Sequence, residues 1–184
     1  MPVPRIARES TALLVVDIQE RFLPVIHGAE AVVANSVVAI RAARELGLPT
    51  FVTEQYSKGL GVTVPEVVDA LGDAYQPVEK TAFSACRAEE IDASLRNAGV
   101  VSVLLVGIEA QVCVLQTGHD LLDMGYSVFP VVNAISSRTT ENCALGLDRL
   151  RESGATLIST EILIFELLRD ARDPHFKTLQ SLIK

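Results

Sequence analysis

The sequence predicts a three-layer α/β/α protein in which helices cover both faces of a six-stranded, mostly parallel sheet. Short apolar runs alternate with longer segments of helical apolar spacing, which is typical of βαβ units. Apolar residues make up 49% of the 184 residues and tryptophan is absent, so Val, Leu, Ile and Ala must supply most of the core, as in a sheet buried on both faces. The length suits a single domain over residues 1–184.

Two apolar runs give the strongest strand predictions. Residues 11–16 are followed at once by Asp17, and residues 100–106 contain only Ser102 as a polar residue. Runs of this length, bounded by polar or turn residues, are typical of strands buried on both faces. Four shorter strands complete the predicted sheet, at residues 50–53, 76–80, 127–132 and 155–158.

Helices are predicted between the strands from apolar spacing and from start and stop signals. The segment 29–46 ends at Gly47, because glycine tolerates the conformation in which helices end. Thr160 is a suitable cap for a helix over residues 161–168. The other predicted helices cover residues 65–71, 87–97, 112–123 and 141–152, with a last one that starts at Asp173.

Three reactive side chains lie where predicted strands end. Asp17 follows the first strand, Lys80 ends the third, and Cys113 opens the helix after the fourth. Right-handed crossovers place the carboxyl ends of parallel strands at one edge of the sheet, where ligands of such folds bind. We therefore expect these three side chains, distant in sequence, to converge on one site.

Cys113 is the candidate nucleophile. The N–H groups and dipole of a helix N-terminus favour a thiolate, and a nearby Lys80 ammonium adds to this effect. The pKa of the thiol is therefore expected to fall from about 8.5 toward or below neutrality. A buried structural cysteine is the alternative from position alone, because this is the commonest fate of a free cysteine. Cys86 and Cys143 lie on helical patterns and are expected to be inert.

Asp17 and Lys80 are the candidate partners of this cysteine. A carboxylate that follows a buried strand needs a partner, since burial of a lone charge is costly. In a hydrolase, Asp17 would take the thiol proton and return it to the leaving group. A turn or helix cap is the alternative for Asp17, and an exposed surface position is the alternative for Lys80. Residues 81–85 carry no charge, which favours a lysine that points inward.

Composition and charge disfavour several classes of function. The formal net charge is −7 without a basic cluster, so no nucleic-acid partner is expected. No apolar run approaches the roughly 20 residues that span a bilayer, and the N-terminal segment shows no signal core. Three cysteines without a CxxC pair suit a reducing compartment, so we expect a cytoplasmic protein without membrane contact. The three histidines lack ligand spacing, and neither a metal nor an organic cofactor is expected.

Three motifs resemble those of the isochorismatase-like superfamily of cysteine hydrolases. They are Leu14-Val15-Val16-Asp17-Ile18-Gln19-Glu20-Arg21-Phe22, Lys80-Thr81-Ala82-Phe83-Ser84 and Gly107-Ile108-Glu109-Ala110-Gln111-Val112-Cys113-Val114. The similarity covers nearly the whole chain, with the motifs in the family's order. Residues 54–61 and 173–177 are most similar to the isochorismatase domain-containing proteins. Cys113 disfavours isochorismatase activity itself, and the Asp-x-His metal site of nicotinamidases is not found.

The resemblance implies a Rossmann-like sheet, a homo-oligomer and the catalytic triad Asp17, Lys80 and Cys113. It also implies a cis peptide bond between Ile108 and Glu109, with the backbone amides of Glu109 and Cys113 aimed at a developing oxyanion. The family often has threonine where this chain has Ala110. Because Ala110 lacks that hydroxyl, the support of the oxyanion loop is expected to differ in this chain.

Four further residues are candidates for the substrate pocket. Gln19 lies two positions after Asp17 and could orient it or the substrate, Phe22 and Tyr56 could wall the pocket, and Asn133 is expected to end the fifth strand at the same edge. A polar loop position for Gln19 and ordinary packing for the two aromatic residues are the alternatives. Arg138 is expected to tie its loop down, with binding of a substrate carboxylate as its alternative.

The sequence therefore predicts hydrolysis of a C–N bond in a small amide or carbamoyl-type substrate, through a thioester at Cys113. Two alternatives stay open. A redox-sensing or ligand-binding relative would keep a reactive cysteine without turnover. A nucleotide-binding module is less favoured, because Gly59-Leu60-Gly61 lacks the third glycine and the following helix of a dinucleotide fingerprint.

Overall fold

Five parallel strands form the central sheet of the computed structural model, which describes residues 5–184. The strands are β1 (Thr11–Val16), β2 (Thr50–Gln55), β3 (Val78–Lys80), β4 (Ser102–Ile108) and β5 (Ser127–Ser136). Their order in the sheet is β3-β2-β1-β4-β5, and every pairing is parallel. Residues 1–4, the start of the segment in which no signal core is predicted, lie outside the described part.

Helices connect the strands and form the two outer layers. They are α1 (Ala29–Glu45), α2 (Ser57–Leu60), α3 (Pro65–Leu71), α4 (Glu89–Asn97), α5 (Leu115–Asp123), α6 (Thr140–Glu152), α7 (Thr160–Leu168) and α8 (Phe176–Ser181). A π-helical turn, Ala110–Val114, leads directly into α5. Short 3-10 turns occur at Arg8–Ser10, Leu23–Val25, Gly72–Ala74 and Ala85–Arg87. No helix of the described residues is long and apolar enough to cross a membrane.

The sixth strand predicted at residues 155–158 does not form. Thr156 and Ile158 each donate a backbone hydrogen bond to β5, at 2.9 and 3.0 Å, but only one isolated bridge results, between Val131 and Ile158. A second bridge would need a hydrogen bond from the backbone nitrogen of residue 130 to the Thr156 carbonyl. Pro130 has no N–H to donate, so the ladder is interrupted and the prediction of six strands is wrong.

Two apolar clusters lie on opposite faces of the sheet. Leu13 and Val15 of β1 belong to the cluster beneath α1, α3, α7 and α8, whereas Leu14 and Val16 belong to the cluster beneath α4, α5 and α6. This division follows from the alternation of side chains along a strand. Because β1 is the middle strand of the five, its carboxyl end lies at the centre of the sheet edge.

Strands β4 and β5 extend beyond their predicted ends at residues 106 and 132. Their pairing shifts register between Leu105 and Gly107, after which Gly107 pairs with Ile135 and Ile108 with Ser136. Asn133 therefore lies inside β5, and the prediction that it ends this strand is wrong. Polar residues late in β5 and the glycine in β4 resemble loop residues in sequence, which explains the early predicted ends.

Candidate active site

Asp17, Lys80 and Cys113 lie at the carboxyl edge of the sheet. The chain passes from β1 to β2 and β3 on one side and continues through β4 and β5 on the other, so the connections that follow β1 and β4 diverge. Asp17 directly follows β1, Lys80 is the last residue of β3, and Cys113 lies in the turn after β4. All three residues are buried, with relative exposures of 0%, 4% and 4%.

The carboxylate of Asp17 has a fixed partner on each oxygen. Lys80 Nζ donates to Oδ2 at 2.7 Å, and the Thr53 hydroxyl donates to Oδ1 at 2.7 Å. The backbone of Asp17 has a φ of 54°, a left-handed conformation that costs a non-glycine residue on the order of 1 kcal/mol. The two hydrogen bonds compensate the burial of the charge and hold this turn in place.

Lys80 reaches Asp17 across the intervening strand β2. Its ammonium also donates to Gln55 Oε1 at 2.8 Å, to the Phe83 carbonyl at 3.1 Å and, at the longer distance of 3.4 Å, to the Ala82 carbonyl. The side chains of the ion pair are only 2% and 0% exposed. Oxygen acceptors thus surround the ammonium, and removal of either charge would leave the other one buried and uncompensated.

The thiol of Cys113 lies against this ion pair. Burial raises the pKa of the Cys113 thiol to about 12, and the negative charge of Asp17 raises it further than the ammonium of Lys80 lowers it. The expectation that its pKa falls toward neutrality is therefore wrong for the free protein. The Lys80 ammonium does not offset the removal of the sulfur from water.

The loop that connects β4 to Cys113 is held by the loop after β5. The peptide bond between Ile108 and Glu109 is cis. The buried Glu109 carboxylate accepts hydrogen bonds from the backbone N–H and from Nε of Arg138, each at 3.0 Å. The Ala110 N–H donates to the Ser137 hydroxyl at 3.2 Å. Arg138 thus ties the two loops together, in accord with its expected role.

Two glycines bring backbone segments close together beside Cys113. Gly107 has a φ of 125°, and a β-carbon at this position would overlap the carbonyl of Val16 on the neighbouring strand. Gly146 of α6 lies against the π-helical turn, and a β-carbon there would be 2.6 Å from the carbonyl carbon of Ala110 and 2.7 Å from Gln111 N. The end of β4 is therefore held directly against β1, and the turn that carries the cysteine is held directly against α6.

The polar pocket candidates are engaged within the protein. Gln19 donates to the carbonyls of Gly61 and Gln55 at 2.6 and 3.1 Å and accepts from the Gln55 N–H at 2.8 Å. Asn133 hydrogen-bonds Asn35 of α1 and Thr160 of α7, at 2.7 to 3.0 Å. Gln19 therefore occupies the polar loop position that was its alternative. A contact of either residue with substrate stays a prediction.

The aromatic pocket candidates differ in exposure. Phe22 is partly buried and packs against a small cluster of Ile26, Val32 and Ile108. Tyr56 is 53% exposed and follows β2 directly, with its ring over Gly59. Phe22 is thus a packing residue near the end of β4, and for both residues a contact with substrate stays a prediction.

Sequence reasoning missed Thr53, Gln55 and Ser137, which contact the candidate site residues or their loop. The predicted second strand ended at residue 53, so Gln55 was assigned to a loop. The alternation of Thr53 and Gln55 on one strand next to β1 is the signal that could have identified them, because side chains two residues apart share a face of the sheet.

The candidate site is defined by its buried charges. A surface groove of about 860 Å³ lies between α1, α3 and the loop after β1, and none of the three candidate residues lines it. Within residues 5–184, no group of three or more potential metal ligands assembles.

Known proteins resemble this chain over almost its full length. The family model for the isochorismatase domain matches residues 11–162. Human isochorismatase domain-containing protein 2 is 42% identical over 182 residues, which cover 98% of this chain and 86% of the human protein. The secreted isochorismatase effector Isc1 of Phytophthora sojae is 41% identical over 183 residues, covering 98% of this chain and 87% of the effector.

A solved structure matches equally well. The MAR1 ribonuclease of Caenorhabditis elegans superposes with a TM-score of 0.91 at 41% identity, covering 98% of this chain and 92% of that protein. Family model, relatives and fold thus agree with the three motifs quoted above. The chain belongs to the isochorismatase domain family and, within it, is similar to the isochorismatase domain-containing proteins.

Proposed function

We propose that this protein is a cysteine-dependent hydrolase that cleaves the C–N bond of a small amide or carbamoyl-type substrate. The observation that carries the proposal is the buried ion pair of Asp17 and Lys80, whose side chains meet at 2.7 Å against the thiol of Cys113. A nucleophile, a carboxylate base and a fixed cation in a site shielded from water are the groups that acyl transfer requires.

The raised pKa of Cys113 defines how the reaction begins. At neutral pH the thiol keeps its proton, because burial and the charge of Asp17 disfavour the thiolate. The proton therefore passes to Asp17 as sulfur attacks the carbonyl carbon, and the carbonyl π electrons move to oxygen. The amides of Glu109 and Cys113 hold this oxyanion, and Lys80 stays hydrogen-bonded to Asp17.

The second half of the cycle returns the site to its starting state. The oxyanion collapses, the C–N bond breaks, and Asp17 gives its proton to the leaving nitrogen, which leaves a thioester on Cys113. Water then loses a proton to Asp17 and attacks the thioester carbon, and the departing sulfur recovers that proton. The sum is amide plus water giving carboxylic acid plus amine, without a metal or an organic cofactor.

The pKa of the thiol also separates hydrolysis from redox sensing. Cysteines that sense oxidants are exposed and ionise readily, because the thiolate is the species that reacts. Cys113 is 4% exposed and its pKa is raised to about 12. This combination supports a nucleophile that is activated only by a substrate and a base, and it disfavours a redox sensor.

The test is ammonia or amine release from a panel of small primary amides and carbamoyl compounds. We expect turnover of at least one compound by the wild-type protein and none by Cys113→Ala. Cys86→Ala should keep full activity, and it is a matched control because the Cys86 thiol is partly buried and its pKa is likewise raised, to about 11. Full activity in a folded Cys113→Ala protein would overturn the proposal.

A second part of the test measures cleavage of RNA, because one similar protein is named a ribonuclease. The C. elegans protein is called a ribonuclease, whereas the present chain has a net charge of −7, which disfavours binding to a polyanion. Single-stranded RNA should therefore remain intact in the presence of this protein. RNA cleavage that is lost in Cys113→Ala, without turnover of any amide, would replace the amide hydrolase by a nuclease.

We further propose that the protein is a cytoplasmic homo-oligomer. Three free cysteines support a reducing compartment, although the similar P. sojae protein is a secreted effector. Sedimentation of the purified protein tests assembly, and fractionation of the native host tests location. A monomer in sedimentation would overturn the proposed assembly. Recovery of the protein from the culture medium would overturn the proposed location.

A further inference from the structure

Strand β2 carries none of the proposed catalytic residues, yet it lies between the two strands that end at Asp17 and Lys80. The parallel register places Thr53 opposite Val16, the residue before Asp17, and it places Gln55 opposite Lys80. Neighbouring strands lie about 4.8 Å apart, so the ion pair spans two strand spacings. Polar side chains of β2 are therefore next to both of its members.

Thr53 is the β2 residue that contacts the proposed base. It is fully buried, with a relative exposure of 0%, and its hydroxyl donates to Asp17 Oδ1 at 2.7 Å. Within residues 5–184 the Thr53 hydroxyl donates no other hydrogen bond. The contact is short and charge-assisted, the class of hydrogen bond that fixes a group most strongly.

This hydrogen bond makes the two oxygens of Asp17 inequivalent. Oδ1 is held by the neutral hydroxyl of Thr53, whereas Oδ2 is held by the ammonium of Lys80. Without the hydroxyl, the carboxylate is free to rotate about its Cβ–Cγ bond and to turn either oxygen toward the lysine. The direction from which Asp17 meets the thiol of Cys113 would then no longer be fixed.

We propose that Thr53 is a positioning residue that orients Asp17 for proton transfer from and to the sulfur of Cys113. The proposal rests on the proposed function, because it assigns a task only if Asp17 is the base. Thr53 does not touch the substrate in this scheme. Its loss should therefore lower kcat and leave KM unchanged, which is not the signature of a damaged binding pocket.

Thr63 offers a matched control elsewhere in the fold. It is a buried threonine, and its hydroxyl donates to a carboxylate, Glu54 Oε1, at 2.8 Å. Glu54 is itself 5% exposed and takes no part in the proposed chemistry. Threonine to valine at either position removes one hydroxyl beside a buried carboxylate with little change of volume. Because Glu54 Oε1 still accepts from the Thr63 N–H and the Tyr75 hydroxyl, a purely structural role would lower the urea midpoint in both variants, at least as much in Thr53→Val, and would leave kcat unchanged in both.

The experiment compares Thr53→Val, Thr53→Ser and Thr63→Val by three measurements. These are kcat and KM on an amide accepted in the panel, the rate at which iodoacetamide alkylates Cys113, and the urea midpoint of unfolding. We expect Thr53→Val to lower kcat about 10- to 100-fold with KM within about twofold of wild type. Alkylation of Cys113 should slow in parallel, and Thr53→Ser should restore both rates.

Thr63→Val should lower the urea midpoint and keep the wild-type kcat. Wild-type kcat in Thr53→Val, no rescue by Thr53→Ser, or an equal loss of kcat in Thr63→Val would each overturn the proposal. The variant Asp17→Asn distinguishes an error in the role of Thr53 from an error in the proposed function. If Asp17→Asn is inactive and Thr53→Val is fully active, only the role of Thr53 is wrong. If Asp17→Asn hydrolyses the amide normally, the proposed function is wrong and the role of Thr53 with it.

Discussion

The two halves of the proposed site are held by different kinds of interaction. The half formed by β1, β2 and β3 holds Asp17 and Lys80 through directional hydrogen bonds between buried polar atoms. The half formed by β4, the π-helical turn and α6 also contains the Glu109–Arg138 ion pair, but close backbone contacts at Gly107 and Gly146 set the position of the turn that carries Cys113. We call these the charged half and the packed half.

The difference reflects what each half must position. Buried charges need partners of opposite charge or matching polarity, because their desolvation is costly. A thiol and two backbone amides carry no charge that needs a partner, so their placement depends on the path of the chain, which the Glu109–Arg138 ion pair and the close contacts at the two glycines fix. The charged half should therefore fail by leaving a charge unpaired, and the packed half by a displacement of the turn.

Loss of Lys80 should have the largest effect, because it breaks the charged half. In Lys80→Met, Asp17 stays buried without its cation, and we expect the free energy of unfolding to fall by about 3–5 kcal/mol. Amide hydrolysis should become undetectable, since an uncompensated carboxylate further disfavours development of charge on sulfur. Urea denaturation and the amide assay measure the two effects.

A double variant distinguishes loss of fold from loss of chemistry. Asp17→Asn combined with Lys80→Met removes both charges, so much of the lost free energy of unfolding should return, while hydrolysis should stay absent. A double variant as unstable as Lys80→Met would show that the charged half is held by packing and not by compensation of charge.

Placement of the three site residues was predictable because it depends on strand ends. Asp17 follows a predicted strand, Lys80 ends one and Cys113 opens the segment after one, and parallel topology gathers such positions at one edge. The contacts of Thr53 and Gln55 were not predictable, because they depend on the register of β2 against β1 and β3. Periodicity predicts a strand but not its register.

Two wrong predictions have physical causes that sequence patterns do not reveal. The thiol of Cys113 was expected to ionise readily from its place near a helix start, but the depth of its burial dominates its pKa. The apolar segment at residues 155–158 has the composition of a strand, but Pro130 on the adjacent strand removes one of its hydrogen bonds. Both outcomes depend on neighbours distant in the chain.

The pH dependence of stability should report the burial of the Cys113 thiol beside the charged half. The pKa of Cys113 is raised from its ordinary value near 9 to about 12, so the native state favours the protonated thiol. The resulting stabilisation, about 4 kcal/mol, is fully present below pH 9 and is lost as the pH rises toward 12. The free energy of unfolding should therefore fall less steeply above pH 9 in Cys113→Ala than in the wild type.

The rate of alkylation in the native protein is a second measurement of the ionisation of Cys113. The rate at Cys113 should keep rising with pH above 9 and should show no plateau near neutrality. A plateau below pH 7 would mean that the free site holds a thiolate. The transfer of the thiol proton to Asp17 during attack would then be wrong.

A methyl group in α6 should have the smallest of these effects on stability and should act on the packed half alone. In Gly146→Ala the new β-carbon would lie 2.6 to 2.7 Å from backbone atoms of Ala110 and Gln111, which cannot rotate away. The overlap costs about 1–3 kcal/mol, offset by about 1 kcal/mol of helix propensity. Because the displaced segment carries Cys113, we expect kcat/KM to fall at least about tenfold.

Gly118→Ala is the matched control, since it is the same change in a helix of the same layer. Its β-carbon would meet the end of the Leu150 side chain, which is able to turn, and not a backbone segment. Stability should change by less than about 1 kcal/mol, and kcat/KM should stay at the wild-type value. If both variants lose kcat/KM to the same extent, general packing in the layer of α5 and α6 positions Cys113, and the backbone contact at Gly146 has no special role. If only Gly146→Ala does, the close backbone contact at the π-helical turn is what positions the sulfur.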